Sequence, residues 1–190
     1  MAEEKKKWKG KDWYVILAEE PFKGKELGEI PATDPKQIPG RTLEIGVDEL
    51  TGREADAHMK IKFKVERLED GRGFAKPVGF YLMREYLTRA VRKKTQKVEA
   101  IHDLKSQDGL LLHIKTQLVF NRNVYKSLQT SARKKVGEIL AQAEKQPFSK
   151  FLLDVISGRI QKQIKKECSK IYPVRFAEIA KIELKKAILK

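Results

Sequence analysis

Between Met59 and Glu66 the chain alternates without a break: Met59, Ile61, Phe63 and Val65 fall on one face, Lys60, Lys62, Lys64 and Glu66 on the other. Alternation at period two marks a strand buried on one side and wet on the other. Such a strand cannot stand alone, because three or more strands or a packed helix are needed to cover its apolar face. The segment therefore commits its surroundings to a sheet. Asp70-Gly71-Arg72-Gly73 follows as a hairpin turn, with residues that accept positive φ, and returns the chain through Phe74 to Phe80.

The same reasoning finds further strands. Trp13 to Leu17 is a short apolar run whose aromatics are expected in the core. Glu26 to Asp34, interrupted by Pro31 and closed by Pro35, reads as an edge strand or extended loop. Leu43, Ile45 and Val47 alternate after the turn at Pro39-Gly40-Arg41, and another strand runs near Val98 to Leu104. Beyond the Asp108-Gly109 turn, Leu110, Leu112, Ile114, Leu118 and Phe120 point inward while His113, Lys115 and Gln117 point outward.

Helical spacing interrupts this pattern in two places. Met83, Tyr86, Leu87, Ala90 and Val91 recur at i, i+3, i+4, i+7 and i+8, a stripe expected to be buried. Arg84, Glu85, Thr88, Arg89 and Arg92 lie on the opposite arc, and Lys93, Lys94 and Lys97 carry the charge past the helix end as a basic ridge. From Asn121 onward Val124, Leu128, Ala132, Val136, Ile139, Leu140 and Ala143 keep helical register up to Pro147, where a second helix begins. That helix aligns Phe148, Phe151, Leu152, Val155, Ile156, Ile160, Ile164 and Cys168, with Arg159, Lys162, Lys166 and Lys170 as a second basic stripe. After Tyr172-Pro173 a last strand alternates to Lys185, with a slip near Glu178 and Ile179 expected to be a bulge.

The fold class is α+β: an antiparallel sheet curled towards a β-barrel, one inserted helix, and a C-terminal helical pair followed by a final strand. Residues 1–11 are expected to form a mobile basic tip and residues 12–190 a single domain, with 12–120 mostly β, 121–171 the helical pair, and 172–190 the returning strand and tail.

Charge bounds the partner. The 41 Lys and Arg exceed the 26 Asp and Glu, and residues 121–190 hold 17 of the basic residues but only 6 of the acidic ones. Such an imbalance self-repels unless a polyanion neutralises it. In the N-terminal tip Lys5, Lys6, Lys7, Lys9 and Lys11 surround Trp8, a composition suited to phosphates and a stacked base. Neither a lipidation signal nor a polybasic segment beside an aromatic amphipathic helix is evident, so a membrane is not expected as partner. The absence of an 18-residue apolar run and of an apolar leader gives a cytosolic reading.

Catalytic signatures are missing. His58, His102 and His113 have no zinc-type spacing, and neither GxSxG, a phosphate-binding GxxxxGK[ST], nor GxGxxG occurs. Cys168, the one cysteine, falls in a helical pattern as a small buried hydrophobe. The reading is therefore of a non-enzyme with no catalytic residue, no metal and no cofactor. The competing reading, an RNA-processing or RNA-modifying enzyme that docks through its basic surface, would need a site assembled by tertiary contacts.

Specific stretches carry a resemblance. They are the lysine-rich tip leading to Trp13-Tyr14, Gly40-Arg41 before a strand, the basic strand Lys60 to Val65, Arg84 to Glu99, and the Lys105 to Gly109 turn. They continue in Gly158-Arg159-Ile160, Gln163 to Cys168 and Lys170 to Arg175. In this order along one chain they resemble the S3Ae (eS1) family of small-subunit ribosomal proteins, in its archaeal form, since the chain stops at Lys190 without the long eukaryotic extension. The resemblance implies a cytoplasmic structural component of the small ribosomal subunit that supports translation. It would bind ribosomal RNA on the platform, near the messenger exit region and the 3′ end of the RNA. Its partners would be that RNA, neighbouring platform proteins and, as a further candidate, messenger RNA, with no membrane and no DNA. Charge geometry supplies the expected RNA-binding residues: Lys5, Lys6, Lys7, Trp8, Lys9 and Lys11 in the tip; Arg84, Arg92, Lys93, Lys94 and Lys97 in the ridge; Arg133 and Lys134 on the first late helix; and Arg159, Lys162, Lys166 and Lys170 on the second.

Overall fold

A computed structural model describes residues 10–185. Among the described residues there are eight strands: β1 (Asp12–Ala18), β2 (Glu26–Ala32), β3 (Thr42–Gly46), β4 (Met59–Glu69), β5 (Arg72–Leu82), β6 (Gln96–Lys105), β7 (Leu111–Phe120) and β8 (Val174–Lys185). Five α-helices accompany them: α1 (Val47–Thr51), α2 (Arg84–Arg89), α3 (Lys126–Ala141), α4 (Phe148–Ile156) and α5 (Arg159–Ser169). The class is α+β, with late helices and a final strand after them, as the patterning requires. The chain divides into two compact units, and β4 and β5 each contribute residues to both.

The first unit comprises residues up to Ile45 together with Lys62–Val78. Its ladder runs β2-β1-β5-β4-β3. Ile16, Ala18, Ile30, Phe63, Val65 and Ala75 are buried, each on the inward parity of its strand. β1 runs antiparallel to β2 but parallel to β5, from Val15↔Arg72 to Ala18↔Ala75, so the sheet is mixed. The ladder does not close into a barrel. In place of a ladder between the end strands, Arg41 reaches from the start of β3 and donates from Nη1 to the Pro31 carbonyl on β2 (2.8 Å). Trp13 departs from expectation: it is 63% exposed. Ile16 and Ala18 define the inward parity of β1, and period two puts Trp13 on the other face.

The second unit comprises Gly46–Ile61 and the chain from Gly79 onward. Here the order is β5-β8-β7-β6, with β5·β8, β8·β7 and β7·β6 all antiparallel. Two register shifts, near Ala180 and at Arg175, bulge β8 and include the slip read from the sequence. One face of β6–β8, carrying Val98, Ala100, Leu112, Ile114, Leu118, Phe120, Ile179 and Ile182, is buried with Val136 and Leu140 of α3, Leu152 and Val155 of α4, and Ile164 and Cys168 of α5. Gly137 allows close approach of α3, since a Cβ there would lie 2.9 Å from the His102 ring of β6.

The expected C-terminal helical pair precedes the final strand, and its second member is divided, because Gly158 at φ 72° stops α4 and opens α5. After this break the buried face of α5 is Gln161, Ile164 and Cys168, with Ile160 only half-buried. On β7, Gln117 is buried rather than outward, its Nε2 donating to the Leu87 carbonyl of α2 (3.1 Å), while Leu110 is exposed.

Candidate nucleic-acid interface

The ridge is built differently from its sequence pattern. α2 spans six residues and buries none of them; Met83 and Val91 at its two ends are exposed, and Tyr86 and Leu87 are half-buried. The stripe read as buried is therefore only partly covered. Helical spacing sets a direction but not a length, and Thr95 supplies a competing local structure. Its hydroxyl accepts from the Arg92 N–H (3.1 Å) and donates to the Arg92 carbonyl (2.6 Å), while the Thr95 N–H also bonds that carbonyl. Lys94 adopts φ 66°, unusual for a residue with a Cβ. Arg92, Lys93 and Lys94 are thus held on a tight exposed turn. None of the three has a salt-bridge partner among the described residues. Arg84 and Arg89 line an open depression on α2 together with Glu85 and Thr88.

Packing on β7 and β8 fixes α2. Besides the Gln117 bond, the Tyr86 ring stacks on His58 (centroids 4.0 Å apart) and lies against Phe176 of β8 (5.7 Å). Burial raises the Tyr86 hydroxyl above its usual range, and the Glu178 charge adds to that shift. Glu178 of β8 also faces α5. Burial pushes its carboxyl up to about 7, against the hydrogen bond from Gln161 and the charge of Lys165, both of which pull it down. Glu178 is thus within electrostatic reach of the ridge helix and hydrogen-bonded to α5. Gln161, itself buried, also donates to the Val155 carbonyl (2.8 Å) and ties α5 to α4.

The α5 stripe is exposed as expected, but its cations are not equivalent. Arg159 is paired with Asp154 (3.1 Å) and Lys170 with Glu167 (2.8 Å). Lys162 and Lys166 project to solvent with no ion pair among the described residues, as does the unforeseen Lys165 apart from its field on Glu178. Lys97 is on β6 and pairs with Glu99 (2.6 Å), which also holds Lys115 (2.8 Å); these two lysines keep the Glu99 carboxyl below its usual range.

Arg133, expected on RNA, is half-buried and donates from Nε to the Glu99 carbonyl (2.9 Å), a bond that fastens α3 to β6. Lys134 beside it is exposed. Lys11 is exposed in the first unit, while Lys5, Lys6, Lys7, Trp8 and Lys9 lie outside the described residues. Sequence reasoning passed over Arg122, Lys126 and Arg175, all exposed. The signal for them was available, since residues 121–137 and 168–177 contain no acidic residue.

Cys168 is fully buried, and burial pushes its thiol up to about 11, which suits packing and not nucleophilic attack. Among the described residues no cluster of three His, Cys, Asp or Glu side chains could hold a metal, and no helix is long and apolar enough to cross a membrane.

An α+β scaffold that displays cations from a fixed turn and a helix stripe defines a basic, polyanion-facing protein. The chain belongs to the Ribosomal S3Ae family, whose model matches residues 2–187. It is similar to small ribosomal subunit protein eS1 of Saccharolobus islandicus strains L.S.2.15, M.14.25 and M.16.27. Each is 34% identical over 183 residues, covering 96% of this chain and 88% of the relative. The chain is accordingly a structural ribosomal protein of the small subunit, a component of the cytoplasmic ribosome.

Proposed function

We propose that the protein binds small-subunit ribosomal RNA on the platform, near the messenger exit region and the 3′ end of the RNA, and acts there without catalysis. The observation that carries the binding reading is the turn Arg92-Lys93-Lys94, whose three cations are held by the Thr95 bonds without an ion pair among the described residues. Lys162 and Lys166 on α5 supply a second set. Such groups neutralise phosphates, and recognition follows from the shape of the folded RNA more than from base edges. The platform position rests on the family resemblance, as do neighbouring platform proteins and messenger RNA as further partners.

A triple variant, Arg92→Gln, Lys93→Gln and Lys94→Gln, tests the ridge. Its circular dichroism should be unchanged, and the slope of log K against log[salt] for small-subunit RNA should lose about 2 to 3 units of magnitude, at 0.7 to 0.9 per phosphate contact. An unchanged slope in the folded variant would remove the ridge from the interface and leave the α5 lysines as the phosphate contacts.

A further inference from the structure

The connection from β7 to α3, Asn121 to Tyr125, is fixed at both ends. The Asn121 N–H donates to the Pro173 carbonyl (3.2 Å). Val124 is buried, and its carbonyl accepts from Gln129 Nε2 (3.0 Å). On this fixed connection Tyr125 stands 84% exposed. The fold does not use its ring: α3 is anchored by Ala132, Val136, Ile139 and Leu140, and the Tyr125 hydroxyl has no hydrogen bond among the described residues.

The stretches of chain that meet here carry charge of one sign. Residues 121–137 and 168–177 contain no Asp or Glu. Arg122 and Lys126 flank Tyr125 and are exposed. Arg175 is exposed too, and is the residue skipped between the pairs Val119↔Phe176 and Phe120↔Val174. That bulge lies at the ladder end from which the connection departs, and bulges re-aim side chains.

We propose that Tyr125 is a stacking platform for an unpaired RNA base, with Arg122, Lys126 and Arg175 neutralising the adjoining phosphates. Every base offers a π-face to such a ring, and a ring carried on a backbone already held in place has only its own two side-chain torsions to order on binding. A protein partner would require an apolar surround to bury the ring, whereas its exposed neighbours are Asn121, Arg122, Asn123 and Lys126. The proposal rests on the RNA-binding reading and adds to it a class of target: single-stranded, not duplex.

The test uses the full chain with two probes, a short oligoadenylate and a blunt RNA duplex, and small-subunit RNA as control. Tyr125→Ala should weaken oligoadenylate binding about 5-fold or more, Tyr125→Phe should stay within about 2-fold, and duplex binding should be the same for both. Replacing Arg122, Lys126 and Arg175 together by Gln should lower the oligoadenylate salt slope by about 2 units. The proposal is overturned by a folded Tyr125→Ala variant with undiminished oligoadenylate affinity, or by equal loss on duplex and single strand. A wild-type chain that binds small-subunit RNA but not oligoadenylate would also overturn it while leaving the broader reading intact. A chain that binds neither would overturn both. Loss of subunit association by Tyr125→Ala with RNA affinity unchanged would assign the ring to a protein neighbour and overturn the proposal as well.

Discussion

Glu178 of β8 accepts a hydrogen bond from Gln161 of α5 and lies within electrostatic reach of Tyr86 of α2, and its carboxyl is pushed up to about 7 chiefly by burial. Between the ordinary carboxylate range and about pH 7 the folded chain holds a proton that the unfolded chain has lost. Stability therefore falls as pH rises through that window; the cost is complete above it and absent below pH 4, where both states are protonated. Glu178→Gln should raise stability at pH 8 by about 1–3 kcal/mol and leave it unchanged at pH 4, as read by urea unfolding at both values. A difference that does not vary with pH would show that packing, not ionisation, governs the site. Residues of this kind were the least legible in the sequence. Glu178 was read only as part of a slip in the strand, and the bond that fastens Arg133 to β6 was not foreseen, because the partners involved, Gln161 and the Glu99 carbonyl, are distant along the chain. Cys168 was legible because Ile164, one turn back, reported its helix face directly.

Elements were legible to the extent that local pattern dictates them. The alternation from Met59 to Val65 demanded β4, and the Asp70-Gly71 turn its hairpin partner β5, for period two cannot be satisfied by a helix. Helix ends were less legible. Apolar residues at four-residue steps from Phe148 to Cys168 fit one long helix as well as two, and only the Ser157-Gly158 dipeptide signals the break. At α2 the stripe from Met83 to Val91 fits a helix of nearly three turns, but the Thr95 hydroxyl captures Arg92 and the helix ends at Arg89. The break at Gly158 depends on its left-handed backbone. Nothing lies within 4 Å of a Cβ built there, so Gly158→Ala should cost about 1 kcal/mol from conformation alone. Gly158→Asn, which tolerates that conformation better, should cost less. Thermal unfolding of the two variants checks the order; an alanine variant as stable as the parent would show that α4 and α5 can meet without the left-handed residue.

For the whole molecule, the α+β class and basic character followed from patterning and composition, whereas the division into two units did not, because β4 and β5 read as single strands yet each contributes to both. The candidate interface was legible as composition and not as geometry: the sequence announces cations, but only the fold distinguishes Lys162 and Lys166 from Arg159 and Lys170, which are paired with Asp154 and Glu167. On the proposed function these surfaces serve assembly into the small ribosomal subunit. Sedimentation of a cell extract through a sucrose gradient, with quantitative detection of this chain, tests it most directly. The chain should co-migrate with small subunits at one copy each and stay with them at moderate salt. A chain found mainly at the top of the gradient, or at a small fraction of one copy per subunit, would contradict it and favour a free RNA-processing enzyme.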